Sequence, residues 1–316
     1  MKTGSGRATA KIILIGEHAV VYGQPAIALP VASVPLTATL TPTTDGQQVV
    51  TSSFYQGSLT AVGSSRFAAI ATLLRRLLTF FGAPHAGFHL TITSALPAER
   101  GMGSSAATAV AVTRAVYDAF DTPLAAATLL NWAAQSERLL HGNPSGLDAA
   151  TASAKRPQWF IKGQPPLPLA LPTRGSLVIA DTGIPGQTKA AVAAVASALA
   201  ANPAPTQAHI AAIGAATRRA AIALADSDLP ALGRELNVAQ THLVALGVSH
   251  PRLARLIDAA TAAGALGAKL TGSGQGGCMI ALADSPAAAE QIRAAVTAAG
   301  AVATWQLNFA ESEARS

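Results

Sequence analysis

Two acids, Glu137 and Asp148, stand eleven positions apart in Glu137-Arg-Leu-Leu-His141-Gly-Asn-Pro-Ser145-Gly-Leu-Asp148. The Gly-Asn-Pro-Ser-Gly run between them reverses or bends the chain, so both carboxylates can face one cleft. Phosphoryl transfer needs one ligand for a divalent cation and one group that receives or orients a hydroxyl proton. Glu137 and Asp148 would divide those jobs. Each taken alone reads more simply, as a surface Glu at a helix end and an Asp capping the next element. Upstream lies Pro97-Ala-Glu-Arg-Gly101-Met102-Gly103-Ser104-Ser105-Ala106. Its glycines allow close backbone approach, and its serines open a helix whose first N–H groups and partial positive charge favour an anion. The plainer alternative is a Gly turn with a Ser N-cap.

A third segment, Lys269-Leu-Thr-Gly272-Ser273-Gly274-Gln-Gly276-Gly277-Cys278, satisfies G-x-G-x-x-G. A dinucleotide-binding reading fails, because a strand-like Cys-Met-Ile-Ala-Leu-Ala run follows instead of a helix, and Ala298 stands where an acid is needed. A loop lying against substrate or phosphates, or a tight β-turn, remains. There is no G-x-x-x-x-G-K-[S/T] loop, no H-R-D or D-F-G set and no G-x-S-x-G elbow. The seven histidines show no metal-ligand spacing.

The elements that must carry these residues follow from periodicity and punctuation. Ile12 to Ile15, Ala26 to Leu29, Val34 to Leu40 and Val49-Val50 read as strands separated by Gly, Pro and Asp-Gly. A helix is expected over 66–81, with Phe67, Ile70, Leu73, Leu74, Leu77 and Leu78 on one face. Gly87 to Thr93 alternates as a strand, and helices follow over Ser104 to Phe120 and Ala125 to Leu140. Pro and Gly cluster at 163–175, which places a domain junction between 1–172 and 173–316. Beyond it come a strand at Leu177 to Asp181 and Ala-rich helices over 188–201, 206–225, 229–246 and 251–263. The strand Cys278 to Ala283, a helix over 286–299 and a strand over 302–309 close an α+β chain with two lobes.

Half of the 316 residues are hydrophobic and only 4% aromatic, so the core is built from Ala, Val, Leu and Ile. The mean hydropathy of +0.36 reflects alanine. No apolar run reaches the roughly 18 residues of a membrane span, and the N-terminus lacks a secretory pattern. A single cysteine, Cys278, excludes an intramolecular disulfide and fits a reducing cytoplasm. The net charge of +6 is dispersed, without a basic-aromatic stripe for nucleic acid, and suits a small anionic substrate such as a nucleotide.

The three segments, in this order, resemble the signature motifs of the GHMP kinases. The opening Lys11-Ile-Ile-Leu-Ile-Gly16-Glu17-His18-Ala-Val-Val-Tyr22-Gly23 is similar to the first motif in its mevalonate kinase form, as is the Glu137 to Asp148 stretch. The resemblance runs from Lys11 to about Ala283. It implies an α+β fold with an N-terminal nucleotide-binding lobe, a C-terminal ferredoxin-like sandwich and ATP at their junction. It also implies transfer of the γ-phosphoryl of ATP to the 5-hydroxyl of mevalonate. On this resemblance the loop from Pro97 through Gly101, Met102, Gly103, Ser104 and Ser105 to Ala106 would wrap the triphosphate. Ser105 and Glu137 would hold Mg²⁺, Asp148 would be the catalytic carboxylate, and Lys11 would lie beside it. Glu17, His18, Ser145, Asp148, Thr188, Gly272, Ser273 and Gly274 would meet the acceptor. A homodimer is compatible with the sequence, which does not fix the oligomeric state.

Two positions depart from the family pattern. Met102 replaces the usual Leu, a neutral packing swap. Gln275 adds a polar arm to a loop that is often all glycine, which puts its closure and the acceptor choice in question. The rival acceptors are phosphomevalonate, homoserine or a sugar, and the rival class is a non-catalytic ligand-binding regulator. No added Lys or Arg near His18 or Ser145 points to a phosphorylated acceptor, and intact Lys11, Glu137 and Asp148 argue for catalysis.

Overall fold

The computed structural model describes every residue except 54, 64–66, 96–99, 142–143 and 315–316. In chain order the first elements are β1 (Gly4–Ile15), β2 (Ala26–Pro42), β3 (Gln48–Thr51), β4 (Gln56–Ser58), α1 (Ala68–Phe80), β5 (Phe88–Ser94), α2 (Ser104–Ala119), α3 (Ala126–His141) and α4 (Leu147–Ser153). There follow β6 (Gln158–Phe160), β7 (Leu167–Pro168), β8 (Ser176–Asp181), α5 (Thr188–Ala201), α6 (Pro203–Ala225), α7 (Leu229–Ala245) and α8 (Pro251–Ala262). The chain ends with β9 (Gly267–Thr271), β10 (Cys278–Ala283), α9 (Pro286–Ala298), β11 (Ala303–Asn308) and α10 (Phe309–Ala314).

These elements form two compact units that interleave in sequence. The first comprises Met1–Ala10, Val31–Pro97 and Gly103–Ser153, and the second Lys11–Pro30, Ala98–Met102 and Ala154–Ser316. In the first, β5 buries Phe88, Leu90 and Ile92 and exposes the residues between them, as the period of two requires. It pairs antiparallel with Leu36–Pro42 of β2 and parallel with β3, which in turn pairs with β4. Helices α1 to α4 pack among themselves. The α2 interface is largely alanine, which lets helix axes approach closely.

The second unit carries an antiparallel sheet in the order β11-β8-β10-β9. With α9 linking β10 to β11, this is the ferredoxin-like order 4-1-3-2. Helices α8 and α9 pack against its strands, burying Val178, Ala180, Leu253, Leu256, Leu270, Met279, Ala281, Ile292 and Val296 together. At about 25 cal/mol per Å² of apolar surface, burial of such side chains is the main stabilising contribution. Ala26–Ala28 of β2 pair with β6 in this unit. Among the described residues no helix is long and apolar enough to cross a membrane.

Where two short strands were expected at 26–29 and 34–40, β2 is one strand of 17 residues. Pro30 and Pro35 interrupt it without breaking it because they lie between the stretch paired with β6 and the stretch paired with β5, outside both ladders. Unforeseen from the sequence are β4, α4, β6, β7, β9, α10 and the first part of β1.

Candidate active site

In the first unit the site begins at the head of α2. Gly103 caps the helix with φ 74°, a left-handed conformation that glycine adopts without a Cβ penalty, and no side chain caps the first turn. The first bond back into the turn runs from the Ala107 N–H to the Gly103 carbonyl at 2.9 Å. The N–H groups of Ser104, Ser105 and Ala106 therefore precede the helical ladder, at the positive end of the macrodipole. The Ser105 hydroxyl is buried and finds no hydrogen-bond partner among the described residues. Helices α3 and α4 both pack on α2. From α3 comes Glu137, 4% exposed, an unusual degree of burial for a carboxylate. Asp148 lies half-buried in the first turn of α4, and the Ser145 hydroxyl accepts the Leu147 N–H at 3.3 Å. The helices α2, α3 and α4, which pack on one another, carry Ser104, Ser105, Glu137 and Asp148, and Ser145 lies just ahead of α4.

In the second unit Lys11 meets the preceding part of the same glycine turn. Its N–H donates to the Met102 carbonyl at 2.9 Å and its ammonium to the Gly101 carbonyl at 3.2 Å. Met102 is buried, as a Leu would be. The Thr271 hydroxyl accepts the Ile13 N–H and donates to the Ile13 carbonyl, joining β9 to β1. The loop after β9 then packs on the turn. A Cβ at Gly101 would stand 3.2 Å from the Thr271 carbonyl oxygen, and one at Gly277 would stand 2.8 Å from that of Arg100. Only glycine permits this approach.

Glu17 and His18 follow β1 in a tight turn where His18 itself has φ 59°. The His18 Nε2 lies 3.1 Å from the Ser273 carbonyl, which can only accept, so Nε2 carries the proton. Burial lowers the pKa of His18 to about 4, so the ring is neutral near pH 7. Glu17 is buried against the ammonium of Lys269, which donates to Glu17 Oε1 at 2.5 Å and to the Leu270 carbonyl at 2.6 Å. Burial raises the pKa of Glu17 and lowers that of Lys269, and each charge opposes the other's shift. Beside the turn, Arg100 reaches Asp181 Oδ2 at 3.2 Å, and the other Asp181 oxygen accepts the Gly183 N–H. Burial raises the pKa of Asp181. Cys278, at the start of β10, is buried, and that burial pushes its thiol well above its ordinary value.

Of the sequence candidates, Lys11, Glu17, His18, Gly101, Met102, Gly272, Ser273 and Gly274 gather within the second unit. Gly103 to Ala106, Glu137, Ser145 and Asp148 belong to the first. Pro97 lies outside the described residues. Thr188 stands exposed as the first residue of α5. The Gln275 side chain donates to the Gly247 carbonyl at 3.0 Å, so its arm ties the loop to the turn after α7. Sequence reasoning passed over Lys269 and the Arg100–Asp181 pair. The one available signal for Lys269 was a lone cation inside an apolar strand, Gly-Ala-Lys-Leu-Thr.

Comparisons with known proteins identify the family. The GHMP kinases N terminal domain matches residues 65–155 and the GHMP kinases C terminal domain matches 220–302. A mevalonate kinase of Aeropyrum pernix is 34% identical over 285 residues, 87% of each chain. The crystal structure of a Staphylococcus aureus mevalonate kinase is similar at 32% identity and TM-score 0.74, covering 98% of this chain and 100% of that one. That of an L. major mevalonate kinase in complex with R-mevalonate aligns at 25% identity and TM-score 0.81, covering 96% and 94%. On this identity over most of its length, and with both family domains matched, this chain belongs to the GHMP kinases.

Proposed function

We propose that the chain is a mevalonate kinase, moving the γ-phosphoryl group of ATP to the 5-hydroxyl of mevalonate to give 5-phosphomevalonate and ADP. What carries the choice of acceptor is similarity to mevalonate kinases above 30% identity over nearly the full length of both chains. The 1–172 and 173–316 division is retained as the boundary between its N- and C-terminal family domains. The cytoplasm is the proposed compartment, on the strength of the single free thiol.

The amides of Gly101 to Ala106 receive the triphosphate at the head of α2. A divalent cation, Mg²⁺, suits the orphaned hydroxyl of Ser105 and the buried carboxylate of Glu137, which would hold it. When bound it neutralises charge on the phosphates. The 5-hydroxyl oxygen forms its bond to the γ-phosphorus as the bond to the bridging oxygen of ADP breaks. Asp148 orients the hydroxyl and receives its proton, and Lys11 offsets the negative charge that builds up. Glu17, His18, Ser145, Thr188 and Gly272 to Gly274 read the acceptor. Most of the acceleration comes from positioning and charge neutralisation.

The test is ADP release in a coupled assay with mevalonate, phosphomevalonate, homoserine and galactose as acceptors. Turnover with mevalonate far above the others is expected. Turnover with phosphomevalonate and none with mevalonate would overturn the acceptor, and none with any alcohol would favour a binding role without catalysis.

A further inference from the structure

Lys269 occupies the centre of β9, opposite Ile280, and is fully buried. An ammonium taken out of water costs several kcal/mol even when paired, and well-packed apolar residues often serve stability as well or better. A lysine here is explained better by what it does to Glu17. Two of its three N–H donors are used, on Glu17 Oε1 and the Leu270 carbonyl. The other Glu17 oxygen, Oε2, is buried and meets no hydrogen-bond donor from another described residue. The Ser273 hydroxyl, on the segment that His18 grips, is likewise buried without a partner among the described residues. Both groups suit an alcohol, since the carboxylate oxygen accepts a hydrogen bond and the hydroxyl can donate or accept one.

We infer that Lys269 is a positioning residue for the acceptor: its ammonium holds the Glu17 carboxylate charged and oriented, so that Oε2 receives a hydroxyl of the bound alcohol. This rests on the mevalonate kinase reading and adds a residue to it. Without the ammonium, burial drives Glu17 toward its protonated form, and the acceptor at Oε2 is lost. Lys11 pulls Glu17 the other way, but more weakly than Lys269.

The experiment uses the full chain with Lys269→Met and with Glu17→Gln/Lys269→Met, the second removing both buried charges together. KM for mevalonate and for ATP are measured separately, alongside thermal unfolding. Lys269→Met should raise the KM for mevalonate by about 10-fold or more, the scale of one lost hydrogen bond to a charged group. The KM for ATP should stay within about 2-fold, since the triphosphate is held elsewhere. The double variant should regain much of the lost thermal stability while keeping the raised KM for mevalonate. A folded double variant with wild-type KM for mevalonate overturns the assignment. So does an equal rise of both KM values, or failure of both variants to fold, because each marks a purely structural pair. If the wild-type chain phosphorylates no mevalonate, it is the kinase reading that fails instead.

Discussion

Replacing Gly277 with alanine tests whether the loop after β9 sets the position of the glycine turn. Gly277 has φ 77°, where a residue with a Cβ costs about 1–2 kcal/mol. Its new Cβ would lie 2.8 Å from the Arg100 carbonyl oxygen, and ordinary contact begins at 3.4 Å. The backbones must therefore part by the difference, 0.6 Å. Gly277 cannot easily yield, because its carbonyl accepts from the Thr182 N–H and hydroxyl and its N–H donates to Ile184. The displacement falls on Arg100 and Gly101. Since about 1 Å of misplacement at a reacting centre costs on the order of 100-fold in rate, about 10-fold in kcat/KM is expected here. Gly264→Ala is the control: its φ is 89° but a Cβ there meets nothing within 4 Å. Both variants should lose about 3–8 °C in melting temperature, while only Gly277→Ala loses activity. Equal activity of the two variants in the coupled assay would refute the positional argument.

Asp148→Asn and Lys11→Met should each lose most turnover while nucleotide affinity, followed by titration calorimetry, stays close to wild type; near-normal rates for both would remove them from the chemistry. His18 gives a pH dependence with a definite sign. Its folded pKa of about 4 lies below the ordinary 6.5, so the unfolded chain binds more protons between those values and stability falls as pH drops through that window. The loss approaches about 3 kcal/mol at the acid end. His18→Asn should flatten this part of the curve of melting temperature against pH, and an unchanged slope would assign the acid sensitivity elsewhere.

Much of the fold was legible because its signals are local. The alternation of β5, the apolar stripe of α1 and the glycine punctuation around β10 each fix an element within a few residues. The continuity of β2 was hidden, since a proline reads as a break unless one knows which stretches of the strand are paired. Candidate site residues could be named from the sequence where they form a contiguous motif, as at Gly101 to Ser105. Lys269 was not, because its partner Glu17 lies 252 positions away and nothing local distinguishes a buried lysine from a solvated one. The Arg100–Asp181 pair was hidden for the same reason. The interleaving of the two units, with Gly101 in one and Gly103 in the other, likewise arises only when distant segments pack.

The enclosure of Cys278 has a practical side. A thiol shut away from solvent and held in its protonated form is a poor nucleophile toward alkylating agents and oxidants. The unmodified polypeptide is accordingly a silent background for maleimide chemistry. A dye or spin label attached through an introduced surface cysteine would report from that one position, with no need to remove the native sulfur first.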